Sequence, residues 1–192
     1  ARAIAEYARM RPIHAVVPVD DGTTLVGAAI AERLGLRCNS AGAVATARNK
    51  LRLRERLAAA GVPGPAFTAF GVTEDAFAAA RRVRYPCVRK PLVLSASRGV
   101  IRADDAAGFA TAFARVAALL ADPEVRALGE GTDQILVEDF VPGAEVALEG
   151  LLTEGALTVL ALFDKPDPLD GPFFEETIYV TPSRLPEATQ RA

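Results

Sequence analysis

The chain has 192 residues, of which 51% are apolar and 24% charged, and its formal net charge is −2. This length and balance suit one large or two small globular domains, and the charge gives no basis for sequence-independent nucleic-acid binding. The longest apolar runs, such as 156–163, are too short to span a bilayer, and the start does not resemble a signal peptide. We therefore expect a cytoplasmic protein without nucleic-acid or membrane partners.

Two features of the composition narrow the possible chemistry. The chain has one histidine, His14, which lies in an apolar run and is expected to be structural, and its two cysteines lie in unrelated segments. This argues against zinc sites and against triads that need a histidine base. Among 22 basic residues only Lys50, Lys90 and Lys165 are lysines. Because ammonium and guanidinium groups differ in shape and hydration, each lysine is a possible functional residue.

The first third of the chain has the pattern of an α/β unit. Residues 13–19 predict a buried strand, followed by an acidic turn and a helix that Thr23 or Thr24 caps and Gly35 ends. The predicted apolar face of this helix consists of Val26, Ile30 and Leu34. This order is typical of a doubly wound domain, and we assign residues 1–42 to its C-terminal part, the chain beginning inside it.

A second helical stretch covers residues 43–60. Gly61 is placed to end that helix in a left-handed conformation, and Pro63 and Pro65 prevent its continuation. We interpret 43–65 as a linker helix and its GVPGP end as a domain boundary.

Residues 66–133 predict a small α+β subdomain. Its expected elements are strands at 66–70, 87–90 and 99–102 and a helix at 73–82. Asp104 is expected to cap a further, longer helix. The apolar face of that helix would consist of Phe109, Phe113, Val116 and Leu120.

Residues 134–192 predict mainly strands. The expected strands are 134–138, 145–152, 157–163 and 174–180, with a Pro142-Gly143 turn between the first two. This segment would form an incomplete second subdomain.

Lys90 ends a short strand and precedes Pro91 and the sequence LVLSASRG. A lysine beside a small, hydroxyl-rich loop can place its ammonium against a polyphosphate, which hydroxyl and backbone N–H groups then cover. The alternative is a strand-end lysine that points into water. The loop is not a P-loop, because the chain has no GxxxxGK[ST].

Glu138 and Glu145 flank a Pro-Gly turn in the sequence VEDFVPGAE. Glu138 follows a buried apolar run, where a carboxylate is costly unless it is hydrogen-bonded. The second carboxylate can return to the same crevice, where a carboxylate could accept both hydrogens of a ribose diol while strand-edge backbone groups read a base. The alternative is a pair of exposed carboxylates beside a hairpin.

The remaining signals are weaker. Lys50 lies in the helix before GVPGP, and the alternative for it is a solvated helix face. Asp164-Lys165 and Glu175-Glu176 complete the set. Because side chains alternate along a strand, Glu175 and Glu176 cannot both face one site.

The order of these segments is more specific than any one of them. Asn49-Lys50, LAAAGVPGP, YPCVRKP with SASRGV, and ILVEDFVPGAEVALEG together resemble the ATP-grasp superfamily. Within it the chain looks most like carboxylate–amine ligases of the L-amino acid ligase and carnosine synthase type. The resemblance implies an α/β (α+β) ATP-grasp fold after a doubly wound domain. It also implies ATP and Mg²⁺ chemistry through an acyl phosphate, with small-molecule carboxylate and amine substrates.

The resemblance also implies roles for individual residues. Lys50 and Lys90 would contact the ATP phosphates, Glu145 would bind the ribose, and Glu176 would contact a substrate. The mobile lid over the phosphates would contain Ser95, Ser97, Arg98 and Gly99. The hinge that reads adenine, partly through a carboxyl group, would be Glu138, Asp139, Phe140 and Val141.

Three departures from the family pattern are visible. The lid has one glycine, so we expect hydroxyl and guanidinium groups to replace part of its backbone cradle. TIYV follows Glu176 where dipeptide ligases tend to have a glycine and a histidine, which leaves amino-acid specificity open. The family's Mg²⁺ ligands and catalytic residues should lie beyond this chain, which we therefore expect to be an inactive fragment.

The alternatives are a non-catalytic nucleotide-binding module and an enzyme of the purine-biosynthesis or carboxylase type. A homodimer is possible.

Overall fold

The computed structural model of the protein describes residues 2–174 and 178–191. The helices are α1 (Arg2–Ala8), α2 (Asp21–Arg33), α3 (Ala41–Arg48), α4 (Lys50–Ala59), α5 (Ala76–Ala80), α6 (Ala106–Ala121), α7 (Pro123–Arg126) and α8 (Glu187–Gln190). The strands are β1 (Phe67–Gly71), β2 (Cys87–Pro91), β3 (Ile101–Ala103), β4 (Gln134–Asp139), β5 (Val146–Thr153) and β6 (Ala156–Asp164). This mixture confirms the α+β class. No helix in the described ranges is long and apolar enough to cross a membrane.

The prediction of a strand at 13–19 is wrong. The segment has no assigned secondary structure, and the side chains of Val17 and Val19 are 77% and 89% exposed. A strand needs a neighbour to complete its ladder of hydrogen bonds. None of the strands in the described part of the chain pairs with these residues. The apolar composition of the segment therefore does not produce a strand.

Helix α2 begins one turn earlier than the sequence suggested, and its buried face is different. Asp20, not a threonine, is the N-cap, and its carboxylate accepts a hydrogen bond from Thr23 N at 2.9 Å. Its buried residues are small, namely Gly27, Ala28 and Ala31. Val26, which was predicted to belong to the apolar face, is exposed. Gly35, with φ +66°, follows the helix as predicted.

The predicted linker helix is two helices, α3 and α4, which meet at Asn49. Asn49 has an extended backbone, and its buried side chain accepts hydrogen bonds from Leu51 N (3.1 Å) and Arg52 N (3.2 Å). Asparagine competes with the helix for its own backbone, which explains the break. At the other end Gly61 has φ +71° and Val62 N donates to Leu57 O. This C-terminal motif confirms the predicted role of Gly61.

The main sheet is antiparallel, with the strand order β1-β4-β2-β3. Helix α6 covers one face of it with the predicted apolar residues and with Ala112. The helix is capped by Asp105 rather than Asp104, because the Asp105 carboxylate accepts from Gly108 N at 2.7 Å while Asp104 pairs with Arg102. The core between sheet and helices is centred on the rings of Phe70, Phe109 and Phe113.

Strands β5 and β6 form a separate two-stranded sheet. Strand β4 therefore pairs with the preceding segment and forms no hairpin with β5. The division of the chain into domains stays a prediction, and this pairing favours a boundary after Asp139 rather than before residue 134. The predicted strand at 174–180 is represented by an isolated bridge between Val180 and Asp164, and residues 175–177 lie outside the described part.

Candidate functional site

A cavity of about 1170 Å³ lies between helices α2–α4, strands β2 and β4 and the segment after β4. Most of the residues singled out from the sequence line it: Lys50, Lys90, Ser95, Ser97, Glu138, Asp139, Phe140, Val141 and Glu145. Two others, Arg98 and Gly99, line an adjoining cavity instead. Glu176 lies outside the described residues. The fold thus brings distant segments of the sequence to one place.

Lys90 and Glu138 meet across two neighbouring strands. Lys90 is paired with Leu136 in the β2–β4 register, so Glu138 is its diagonal neighbour on the same face. The Lys90 Nζ to Glu138 Oε2 distance is 2.6 Å, and the two side chains are 20% and 5% exposed. The alternative that Lys90 points into water is therefore wrong.

Arg54, on α4, is the second partner of Glu138 and was missed by the sequence analysis. Its Nε lies 2.5 Å from Glu138 Oε1, and its Nη2 lies 3.4 Å from Oε2. Burial alone would raise the pKa of Glu138, but the hydrogen bond from Arg54 and the charge of Lys90 outweigh it, and the pKa is lowered. Arg54 is one helical turn after Lys50, a spacing that places both side chains on one face and could have revealed it.

This pairing suggests a second role for Glu138, whose part in adenine recognition stays a prediction. The resemblance assigned its carboxyl group to adenine recognition, yet both oxygens already accept from cationic side chains. A base would have to compete with these charge-assisted contacts. The geometry favours Glu138 as the anchor of Lys90 and Arg54.

Lys50 is the first residue of α4, held there by the Asn49 cap. Its N–H donates to Leu92 O at 3.0 Å, and its Nζ donates to Leu94 O at 2.5 Å. These bonds fasten the helix to the segment that follows β2. Burial, and next the nearby charge of Lys90, lower the pKa of Lys50. Two partly buried cations at one cavity favour an anionic ligand.

Arg89 shows why only one of two successive basic residues on β2 belongs to the site. Because side chains alternate, Arg89 points to the opposite face and is fully buried against α6. Its guanidinium donates to Phe109 O (2.6 Å) and Ile101 O (3.2 Å) and lies over the Phe109 ring. Burial lowers its pKa. Arg89 is thus a core residue.

The loop between β2 and β3 is a tight, left-handed turn at the cavity rim. Ala96, Ser97 and Gly99 all have positive φ, and Val100 N donates to Ser97 O at 2.9 Å. A Cβ on Gly99 would lie 2.8 Å from Leu119 Cδ2. Glycine is therefore required at this position for both its φ and its close approach. Ser95 and Ser97 of this loop line the same cavity as Lys50 and Lys90.

The end of β4 and the residue after it are held by hydrogen bonds to the residues that precede β1 and β2. Asp139 N donates to Ala66 O, and Phe140 N donates to Pro86 O, both at 3.0 Å. The Asp139 carboxylate pairs with Arg84 at 2.6 Å, and the Arg102 guanidinium lies 4.2 Å from the centre of the Phe140 ring. The hinge predicted at 138–141 is therefore anchored to the four-stranded sheet.

Glu145 forms an ion pair with Lys165, the third lysine. Lys165 also lies 5.2 Å from the centre of the Tyr179 ring, and its side chain is 9% exposed while that of Glu145 is 50% exposed. Glu145 is thus held by Lys165 at a position that lines the cavity.

The adjoining cavity, of about 970 Å³, lies on the other side of the loop. It is lined by the cationic side chains of Arg98 and Arg115 and by aromatic rings, among them Phe173 and Tyr179. The Arg115 guanidinium lies 5.1 Å from the centre of the Phe173 ring. The two cavities share Ala96, Ser97, Val100 and Phe174.

The sequence analysis placed the Mg²⁺ ligands outside this chain. In the described ranges, 2–174 and 178–191, no three or more His, Cys, Asp or Glu side chains form a group that could hold a metal ion. Because Mg²⁺ is usually bound through one or two carboxylates together with substrate phosphates, the location of its ligands stays a prediction.

A family model described as "ATP-grasp domain" matches residues 83–192, more than half of the chain. The chain therefore belongs to the ATP-grasp family, as the ordered motifs indicated.

Two ligases are similar to it. Alanine–anticapsin ligase of Bacillus subtilis (strain 168) is 29% identical over 172 residues, which cover 83% of this chain and 36% of that protein. The crystal structure of an L-amino acid ligase from Bacillus licheniformis superimposes with a TM-score of 0.83 and 30% identity, over 100% of this chain and 44% of that one. The chain thus spans less than half the length of either protein.

The fold is shared more widely. The biotin carboxylase domain of the 2-oxoglutarate carboxylase of Hydrogenobacter thermophilus, solved as a dimer with MgADP, ADP and bicarbonate, matches with a TM-score of 0.71 and 18% identity, over 99% of this chain and 42% of that one. At this identity the likeness concerns the fold alone.

Proposed function

We propose that this chain is the ATP-binding portion of an ATP-dependent carboxylate–amine ligase. The observation that carries the proposal is the convergence of Lys50 and Lys90, from different segments, at one cavity that Ser95 and Ser97 also line. Two ammonium groups and a hydroxyl-bearing loop are groups that hold a polyphosphate. The likeness to two ligases supports amide formation rather than another ATP-dependent reaction.

In the proposed reaction, a carboxylate oxygen of the first substrate attacks the γ-phosphorus of ATP, and ADP leaves. The amine of the second substrate then attacks the acyl carbon, loses a proton, and expels phosphate as the amide forms. Phosphoryl transfer depends mainly on positioning and charge stabilisation. Lys50 and Lys90 would supply positive charge to the phosphates, and the loop with Ser95, Ser97, Arg98 and Gly99 would exclude water from the acyl phosphate. No step is assigned to Mg²⁺ through residues of this chain.

The adenosine end of ATP would lie against the segment after β4. The backbone of the hinge at 138–141 would contact the base through groups other than the Asp139 and Phe140 N–H groups, which donate to Ala66 O and Pro86 O, while Glu138 holds the lysine. Glu145 would accept hydrogen bonds from the ribose hydroxyls with Lys165 fixing its position.

The adjoining cavity is the proposed site of the carboxylate substrate. Arg98 and Arg115 can attract a carboxylate, and the aromatic walls can accept an apolar side chain. Because the two cavities share the loop, a carboxylate there would be next to the phosphates. The names of the two similar ligases support amino acids as substrates, and Glu176 stays a proposed substrate contact. The homodimer also stays a proposal.

The test is an ADP-release screen of the full natural protein with pairs of amino acids, with mass spectrometry of the products. The proposal predicts ADP release and an amide product only when acid and amine are both present, and their loss in Lys90→Met. Arg52→Met is the control for the loss of a positive charge, because Arg52 pairs with Glu130 and neither residue lines the cavity. ADP release with bicarbonate alone would instead favour a carboxylase-type reaction. ATP binding without any turnover would favour a non-catalytic module.

A further inference from the structure

The Glu138 carboxylate is shared unequally by its two cations. Arg54 reaches both oxygens, at 2.5 Å from Nε to Oε1 and 3.4 Å from Nη2 to Oε2. Lys90 contacts Oε2, at 2.6 Å. The side chains of Arg54 and Glu138 are 29% and 5% exposed, so water offers little replacement for either contact. Lys90 is thus the cation that can leave while the carboxylate keeps a partner.

A polyphosphate in the cavity would compete with Glu138 for Lys90. Moving the ammonium toward a phosphate lengthens its contact with Oε2. A buried carboxylate that loses its only counter-ion is strongly destabilised, and this would hold Lys90 on Glu138. With Arg54 in place, Nη2 can close on the vacated Oε2, and Glu138 stays paired through two parallel bonds.

We propose that Arg54 is a positioning residue that keeps Glu138 charge-paired and so frees Lys90 to bind the nucleotide phosphates. This inference rests on the proposed ATP site and adds to it a residue that acts through Lys90 rather than on the ligand. A lysine at position 54 would not serve equally, because an ammonium is a point donor and cannot span both carboxylate oxygens.

The test is calorimetric titration of the full natural protein with ATP and, separately, with adenosine. Arg54→Met is expected to weaken ATP binding about tenfold or more, the loss expected for one charged hydrogen bond, and to leave adenosine binding unchanged. Arg54→Lys is expected to weaken ATP binding by a smaller factor. The Arg54→Met/Glu138→Gln double variant is expected to recover ATP binding, because a neutral amide no longer retains Lys90. Arg52→Met serves as the control for a charge removed from the same helix.

The outcomes separate this inference from the proposed function. If wild type binds no ATP, the ATP site itself is wrong and the role of Arg54 falls with it. If wild type binds ATP and both Arg54 variants bind it equally well, the positioning role is wrong. Equal losses for ATP and adenosine would mean a merely structural role and would also overturn it. If Arg54→Met does not fold, the other two variants test the inference. It is contradicted if Arg54→Lys binds ATP as tightly as wild type. It is also contradicted if the folded Arg54→Met/Glu138→Gln double variant does not bind ATP.

Discussion

Lys90 and Glu138 are diagonal neighbours on antiparallel strands β2 and β4, and their charged groups meet at 2.6 Å on the cavity face of the sheet. On the opposite face of the same strand, Arg89 is buried against α6. Strand alternation thus divides two successive basic residues between a core and a site. The ion pair holds the Lys90 ammonium in a defined position beside the cavity.

The Glu138 ion pairs should make stability depend on acid pH. The pKa of Glu138 is lowered below its ordinary value of 4.5, so its pairing stabilises the folded protein fully above that value. The stabilisation is lost as the pH falls through the lowered pKa. We expect the free energy of unfolding of wild type to exceed that of Glu138→Gln at neutral pH, with the difference shrinking below about pH 4. Urea unfolding of both proteins at several pH values measures this difference in the free energy of unfolding. A difference that does not change with pH would contradict the ion-pair account.

Lys50 should set an alkaline limit on nucleotide binding. Its pKa is lowered from 10.5, mainly by burial, and its charge is needed opposite the phosphates. As the pH rises through the lowered pKa, wild type should lose affinity for ATP. Lys50→Arg should retain its own affinity to higher pH, because a guanidinium stays protonated. Titrations between about pH 8 and 10 compare the shapes of the two profiles, and parallel profiles would rule out Lys50 as the titrating group.

Glu145 should discriminate nucleotides by their ribose hydroxyls. Glu145 lines the cavity and its carboxylate is held by Lys165, so Glu145→Gln should weaken ATP binding about tenfold. The same variant should leave the binding of 2′,3′-dideoxy-ATP unchanged. Glu149→Gln, an exposed glutamate on β5, is the matched control. A loss of equal size for both nucleotides would show that Glu145 does not read the ribose.

The aromatic core under the sheet should dominate stability. Phe109 is fully buried, packs against Phe70 and Phe113, and lies under the Arg89 guanidinium. Phe109→Ala should lower the free energy of unfolding by about 3–5 kcal/mol through lost burial and a residual cavity. Phe77→Ala, at a position that is 61% exposed, should cost far less. Urea denaturation measures the free energy of unfolding of both variants. Equal losses in the two variants would contradict this placement of the core.

The sequence predicted those parts of the fold and the site that depend on local pattern. Strand alternation, helix periodicity and the Gly61 terminus were sufficient to locate β1–β6, α6 and the end of α4. The strand at 13–19 failed because a strand depends on a neighbour, which its own sequence does not encode. The spacing from Lys50 could have placed Arg54 on the face of the site, but its pairing with Glu138 could not be predicted, because the two residues are 84 positions apart in the chain. The ligand roles of the site residues stay predictions.

Thermal unfolding of the full natural protein with and without excess ATP tests the central claim most directly. A ligand that binds only the folded state stabilises it by about 2.7 kcal/mol at a hundredfold excess over Kd. The account predicts an ATP-dependent rise in Tm for wild type and Arg52→Met, and a rise that is lost in Lys90→Met. No rise in wild type, or an equal rise in Lys90→Met, would contradict a nucleotide site built around Lys90.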